Sequence, residues 1–237
     1  MTRKIIGSLL AGALLLAIPG TALADNEDTL MNVDFKTTSK STKAGTKSKP
    51  RPANLSIELT QSTRSGTGQP ASSAALNITL PKEFRFKGST WPKKLRCDPI
   101  KANQARSDSA CPKRSSIGNG HVTASAGNGT LFSEIDVRAY VTTSGDLGLW
   151  LSTATPLPIN QMLIGKVTGG RTIRVAIPSN IQQPLVGVKS AIRVLRFTLE
   201  RGVESIGCPK AKQWKLAFQN VYTQGSTTDS DTAPCRK

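Results

Sequence analysis

The spacing of apolar residues restricts this chain more than any other feature, because from residue 53 onward they recur at a period of two. Leu55, Ile57 and Leu59 alternate with Ser56, Glu58 and Thr60, while Leu76, Ile78 and Leu80 alternate with Asn77 and Thr79 until Pro81 ends the run. Ile135, Val137, Ala139 and Val141 alternate with Glu134, Asp136, Arg138 and Tyr140, and the pattern returns at 147–151, 173–177 and 214–218. In an extended chain this gives one apolar and one polar face. A weaker run follows Gly118-Asn119-Gly120, read as a turn leading into a strand at Val122. Between Ile192 and Leu199 the phase changes, as a bulge would produce. Eight or more short strands, with turns of Gly, Pro, Asn and Ser and almost no helical periodicity, predict an all-β antiparallel β-sandwich of jelly-roll or Ig-like type.

The N-terminus carries a different signal. Arg3 and Lys4, an apolar run from Ile5 to Ile18, Pro19-Gly20 and Ala22-Leu23-Ala24 have the form of a cleavable secretory leader. The expected organisation is therefore a signal peptide over 1–24, a strand and basic Lys/Ser/Thr-rich segment over 25–52, and the β domain over 53–237. Cleavage near Ala24 would make the protein secreted or extracytoplasmic. No second apolar run is long enough to span a bilayer as a helix, so a membrane-spanning protein is not expected. Within 25–52, Met31, Val33 and Phe35 share one face of a short strand expected to pair back onto the domain.

All four cysteines, Cys97, Cys111, Cys208 and Cys235, follow the leader, and an even number in an oxidising compartment predicts two disulfides. Three pairings are open. Local pairing is the simplest, closing loops that the chain-entropy argument values at ~3 and ~3.6 kcal/mol. No Cys-x-x-Cys pair or Cys/His cluster has zinc-ligand spacing, so no metal and no cofactor is expected.

Cys97, Cys111-Pro112-Lys113-Arg114-Ser115-Ser116-Ile117-Gly118-Asn119-Gly120, and then Cys208-Pro209 and Cys235 resemble a pattern in uncharacterised secreted β-domain proteins of high-GC Gram-positive bacteria. That group carries Cys-Pro-x-x-Ser-x-x-Gly-x-Gly after its first disulfide loop. The resemblance covers most of 75–237 and implies the fold, export and disulfides, but no activity.

Candidate catalytic residues are few. Glu134-Ile135-Asp136-Val137-Arg138 resembles the Glu-x-Asp-x-Glu strand of the laminarinase and lichenase group of retaining glycosidases. Alternation there sets carboxylates side by side as nucleophile, assistant and acid/base. Arg138 stands where the second Glu is required, and a guanidinium cannot donate a proton at neutral pH. Three Trp, two Tyr and six Phe make a thin supply of sugar-stacking rings. Glu134 and Asp136 therefore read as an exposed face balanced by Arg138. His121, the single histidine, reads as a solvent-facing residue at a strand edge, and nothing like Gly-x-Ser-x-Gly surrounds any serine.

Charge is the remaining signal. Of 32 basic residues the leader holds only Arg3 and Lys4, and it holds none of the 15 acidic ones, so the formal excess falls only from 17 to 15. Lys82, Arg85, Lys87, Lys93, Lys94 and Arg96 flank Phe84, Phe86 and Trp91, a set suited to gripping a polyanion or a membrane surface. The segment from Lys36 to Arg51 adds a second basic cluster. With no RNA-reading motif or helix-turn-helix, no specific nucleic acid is expected. The sequence thus points to a non-catalytic binding or structural protein of the cell envelope that contacts anionic polymers or surfaces. A glycan-acting hydrolase or degenerate sugar binder using Glu134 and Asp136, and a protein-interaction or inhibitor module using the Cys97–Cys111 loop, are the alternatives.

Overall fold

The computed structural model describes residues 28–37, 43–156 and 158–236. The leader lies outside the described residues. Strands β1 (Thr29–Thr37), β2 (Arg51–Pro52), β3 (Leu55–Thr63), β4 (Ser73–Thr79) and β5 (Phe84–Phe86) come first. The short helix α1 (Pro99–Ala105) follows, and then β6 (Ser116–Ala126), β7 (Leu131–Val141), β8 (Leu147–Thr153), β9 (Ile159–Thr168) and β10 (Thr172–Ala176). The chain ends with the single-turn α2 (Ser179–Gln182), β11 (Ser190–Leu199), β12 (Val203–Ser205), β13 (Gln213–Tyr222) and β14 (Ser226–Pro234). Eleven strands form one antiparallel sheet in the order β1-β3-β11-β6-β7-β8-β9-β10-β4-β13-β14, and β2-β12-β5 form a second. The expected all-β antiparallel fold is present, built by one large, nearly closed sheet wrapped around its own apolar face.

Between the strands themselves closure is made by side chains, and beyond their ends Ala44 N donates to the Arg236 carbonyl at 2.8 Å. Outer strands β1 and β14 meet without pairing, and carboxylates on β14 accept the hydrogen bonds that a neighbouring backbone would otherwise take. Val33 N donates to Asp229 Oδ2 and Phe35 N to Asp231 Oδ2, both at 2.8 Å. Asp229 and Asp231 lie opposite Phe218 and Leu216 of β13, on the inward face. The N-terminal strand is thus held from both sides, by backbone bonds to β3 and by carboxylates from β14.

Inward residues of the strands make a single core in which Trp214, Phe218, Leu55, Leu59 and Leu80 are fully buried. The bulge expected between Ile192 and Leu199 is present as a register shift between Ile192 and Val194. Gly118 and Gly120 correct one expectation, since they lie inside β6 and not in a turn. A Cβ on Gly118 would overlap the Thr198 carbonyl oxygen, and one on Gly120 the Arg196 carbonyl oxygen, so β11 can approach β6 only over bare backbone. Gly127-Asn128-Gly129, all at positive φ, form the actual hairpin turn.

The disulfides join Cys97 to Cys111 and Cys208 to Cys235, the local pairing of the three. The first ties the long β5–β6 excursion against the outside of the barrel. There Cys97, Cys111 and Ala102 of α1 cover Tyr140, Trp150 and Met162, outward residues of β7, β8 and β9. Asp98 caps α1 by accepting from the backbone N–H groups of Ile100 and Lys101, with Pro99 in the first turn. The second disulfide fastens the segment before β13 to the residue after β14. Connections alternate between the barrel's two ends. The small sheet and both disulfides belong to the end of β1 and β7, whereas α2 and the hairpin turns at 127–130 and 223–225 belong to the other.

Two outcomes test these contacts. Asp229→Ala and Asp231→Ala should each lower the unfolding free energy by about 1.5–3 kcal/mol in urea titrations, with Asp→Asn milder because an acceptor oxygen remains. Gly120→Val should cost at least ~1–3 kcal/mol by forcing β11 away from β6.

Candidate functional site

The basic end is built on the small sheet. In β5, Phe84 and Phe86 point inward, and the Phe84 ring meets Trp214 edge-on at 4.8 Å, which anchors the strand and turns Arg85 to solvent. β12 lies between β5 and β2, with Glu204 opposite both Arg85 and Pro52, and Ser205 opposite Arg51. The sheet therefore brings together two basic segments that are separate in sequence, one ending at Arg51 and one around Arg85.

The six residues singled out by sequence have different roles. Lys87 pairs with Glu204 at 3.1 Å, and Lys82 lies 3.9 Å from Glu83. Arg96 is a strut: Nε donates to the Trp91 carbonyl at 2.9 Å, one terminal nitrogen to Thr143 O at 3.1 Å and the other to Ser89 O at 2.8 Å. Arg85, Lys93 and Lys94 are exposed, and their side chains make no ion pair or hydrogen bond among the described residues. Lys47, Lys49 and Arg51 are exposed in the same way, so the free cations are fewer than the sequence cluster suggests and come from both segments. Trp91 packs against the core with its Nε1 buried and unpartnered among the described residues.

A second cluster occupies the outer face of β3, β11, β6 and β7. Glu58, Arg196, His121 and Asp136 stand directly opposite one another in successive strands. Arg196 donates to Glu58 at 2.9 Å. The His121 ring lies between two carboxylates, with Nε2 at Glu134 and Nδ1 3.4 Å from Asp136, and Thr123 donates to Glu134 at 3.0 Å. His121 is therefore on the face of an interior strand of the sheet, not at a strand edge. Arg138 does not balance Glu134 and Asp136. It pairs instead with Asp108 at 3.0 Å, to which Tyr140 also donates at 2.6 Å. Burial first, and that bond second, push the Tyr140 hydroxyl up to about 12.

Hydrogen bonding to His121 holds the Glu134 carboxyl below the usual carboxylate range, and the bond to Glu134 raises the His121 imidazole above its ordinary 6.5. A glycosidic general acid needs a carboxyl whose proton affinity is raised, so the cluster favours the opposite state. Its chemistry is that of a charge ladder across strands. Among the described residues, no group of three His, Cys, Asp or Glu side chains is placed to hold a metal ion, and no cysteine is free.

No protein-family model matches the chain, and a search of curated proteins finds no match.

The ladder has a pH signature. Because the folded imidazole has the higher proton affinity, its stabilisation is fully present below about pH 6.5 and is lost as pH rises through the folded value. NMR titration of His121 should place its midpoint above 6.5. In His121→Gln, unfolding free energy should no longer fall over that window.

Proposed function

We propose that this is an extracytoplasmic, non-catalytic binding protein that attaches to an anionic envelope polymer through the end of the barrel closed by the small sheet. The observation that carries the reading is the meeting of two basic segments on that sheet, with Arg51, Arg85, Lys93 and Lys94 exposed and unpaired among the described residues. A free lysine or arginine can exchange counterions for a polyanion without breaking an ion pair, as Lys87 would, or hydrogen bonds to carbonyls, as Arg96 would. Two disulfides and the leader-like N-terminus support export, as does the resemblance to secreted β-domain proteins. Catalysis has no comparable support, since the paired carboxylates are committed to His121 and Thr123.

The oxidised protein should co-sediment with isolated cell envelopes at low salt and be released at ~1 M salt, where the Debye length is about 3 Å. The triple variant Arg85→Gln, Lys93→Glu, Lys94→Glu should abolish this binding without lowering the thermal midpoint, the neutral Gln avoiding a like charge opposite Glu204. Retention at high salt, or an unchanged triple variant, would sink the proposal. Anionic vesicles run alongside tell whether lipid headgroups alone suffice.

A further inference from the structure

The barrel core is not completely filled. Inward residues of β4 and β6–β11, together with Ile181 of α2, enclose a cavity of about 90 Å³ whose lining is apolar except for Ser73 and Ser190. An apolar cavity of this order holds an apolar guest in preference to water. Outside it, at the end of the barrel opposite the small sheet, lies an open groove of about 710 Å³ between the C-terminus of α1, the start of β9 and the α2 segment. Ile181 is the one described residue common to both linings and stands at the partition between them.

That partition is lightly held. α2 contains no fully buried residue. It is fastened mainly by hydrogen bonds: Asn180 Nδ2 to Gln161 Oε1 at 3.0 Å, Gln182 Nε2 to Ile177 O at 2.6 Å, and Ser190 Oγ to Ile181 O. The groove wall mixes the amides of Asn103, Asn160, Gln161 and Asn180 with apolar Pro158, Ile159, Pro184 and Leu185, and Arg106 is the single charged side chain lining it. Arg106 caps α1 in the left-handed region at φ 48°, is exposed, and has no ion pair among the described residues. The segment after α2 then presents Leu185, 48% exposed, and Val186, wholly exposed, beside the mouth.

We propose that groove and cavity form one binding site for a single-chain anionic amphiphile of the fatty-acid class. The alkyl chain lies along the apolar residues of the groove, its last few carbons pass Ile181 into the small cavity, and the carboxylate stays in the groove at Arg106. The apolar part of the groove and the cavity beyond it match the chain, and one unpaired cation among amides matches one carboxylate. The exposed Leu185 and Val186 provide apolar contact at the point where such a molecule leaves an aggregate or a lipid surface. The site shares no residue with the basic end and stands or falls independently of it.

The test is displacement of N-phenyl-1-naphthylamine from the oxidised full chain by hexanoate, octanoate, decanoate and decanol, each below its aggregation threshold. Saturable binding is expected, tightening about fourfold per methylene. Ala124→Phe, which places a ring in the cavity, should weaken decanoate at least tenfold. Arg106→Gln should weaken decanoate about tenfold and leave decanol unchanged. Ile181→Arg, at a partly exposed position, replaces Ala124→Phe if the latter fails to give a cooperative melt. Absence of saturable binding, affinity independent of chain length, or unaltered binding in the cavity variant overturns the proposal. An Arg106 variant that weakens decanol equally overturns the assignment of the head group.

Discussion

The seam between β1 and β14 makes this molecule a closed body and not an open sheet. Eleven antiparallel strands leave two edges, and an unpaired edge is a row of donors and acceptors available to any other chain. Here the edges face each other, and Asp229 and Asp231 accept the N–H groups of Val33 and Phe35. Everything enclosed depends on that seam: the Trp214 and Phe84 contact, the inward faces of β3 and β11, and the cavity beneath α2. Carboxylate acceptors make stronger bonds to backbone N–H than neutral groups do, so two contacts offset part of the missing ladder.

The same seam explains what could be read from sequence and what could not. Strands with a dry face and a wet face, such as β3 and β7, are visible because burial imposes their alternation. β14 reads Ser-Thr-Thr-Asp-Ser-Asp-Thr-Ala-Pro, with polar residues at inward positions, because its inward side chains serve an edge and not a core. β9 lacks such an alternation, since Gly165 faces inward where Ile173 and Val175 crowd it and Met162 faces outward beneath α1. Gly118 and Gly120 carried a turn signal locally, yet their cause lies in β11, some 80 residues away. Local pattern cannot report a requirement imposed by a distant strand.

Site residues divide along the same line. Six cations near three aromatics were legible as a cluster, but composition does not distinguish a cation facing solvent from one holding a loop. Arg96 spends its guanidinium on three carbonyls, as its planar, multidentate head allows, whereas Lys93 and Lys94 remain available. The partnership of Arg51 with Arg85 needed β12 to bring the segments together, and that of His121 with Glu134 needed the β6–β7 register.

The Cys208–Cys235 bond gains meaning from where it sits. It joins the approach to β13 with the exit of β14, at the far end of the strand that carries both seam carboxylates. An edge strand with polar inward residues has little burial to stop it peeling away from its Pro234 end. With that end fastened, fraying requires β13 to loosen as well, and Trp214, Leu216 and Phe218 keep β13 in the core. The covalent link thus converts a peripheral strand into part of the cooperative unit. Its reduction would turn the molecule into a donor and acceptor of exchanged strands, so an oxidising environment guards this fold against self-association as well as against unfolding.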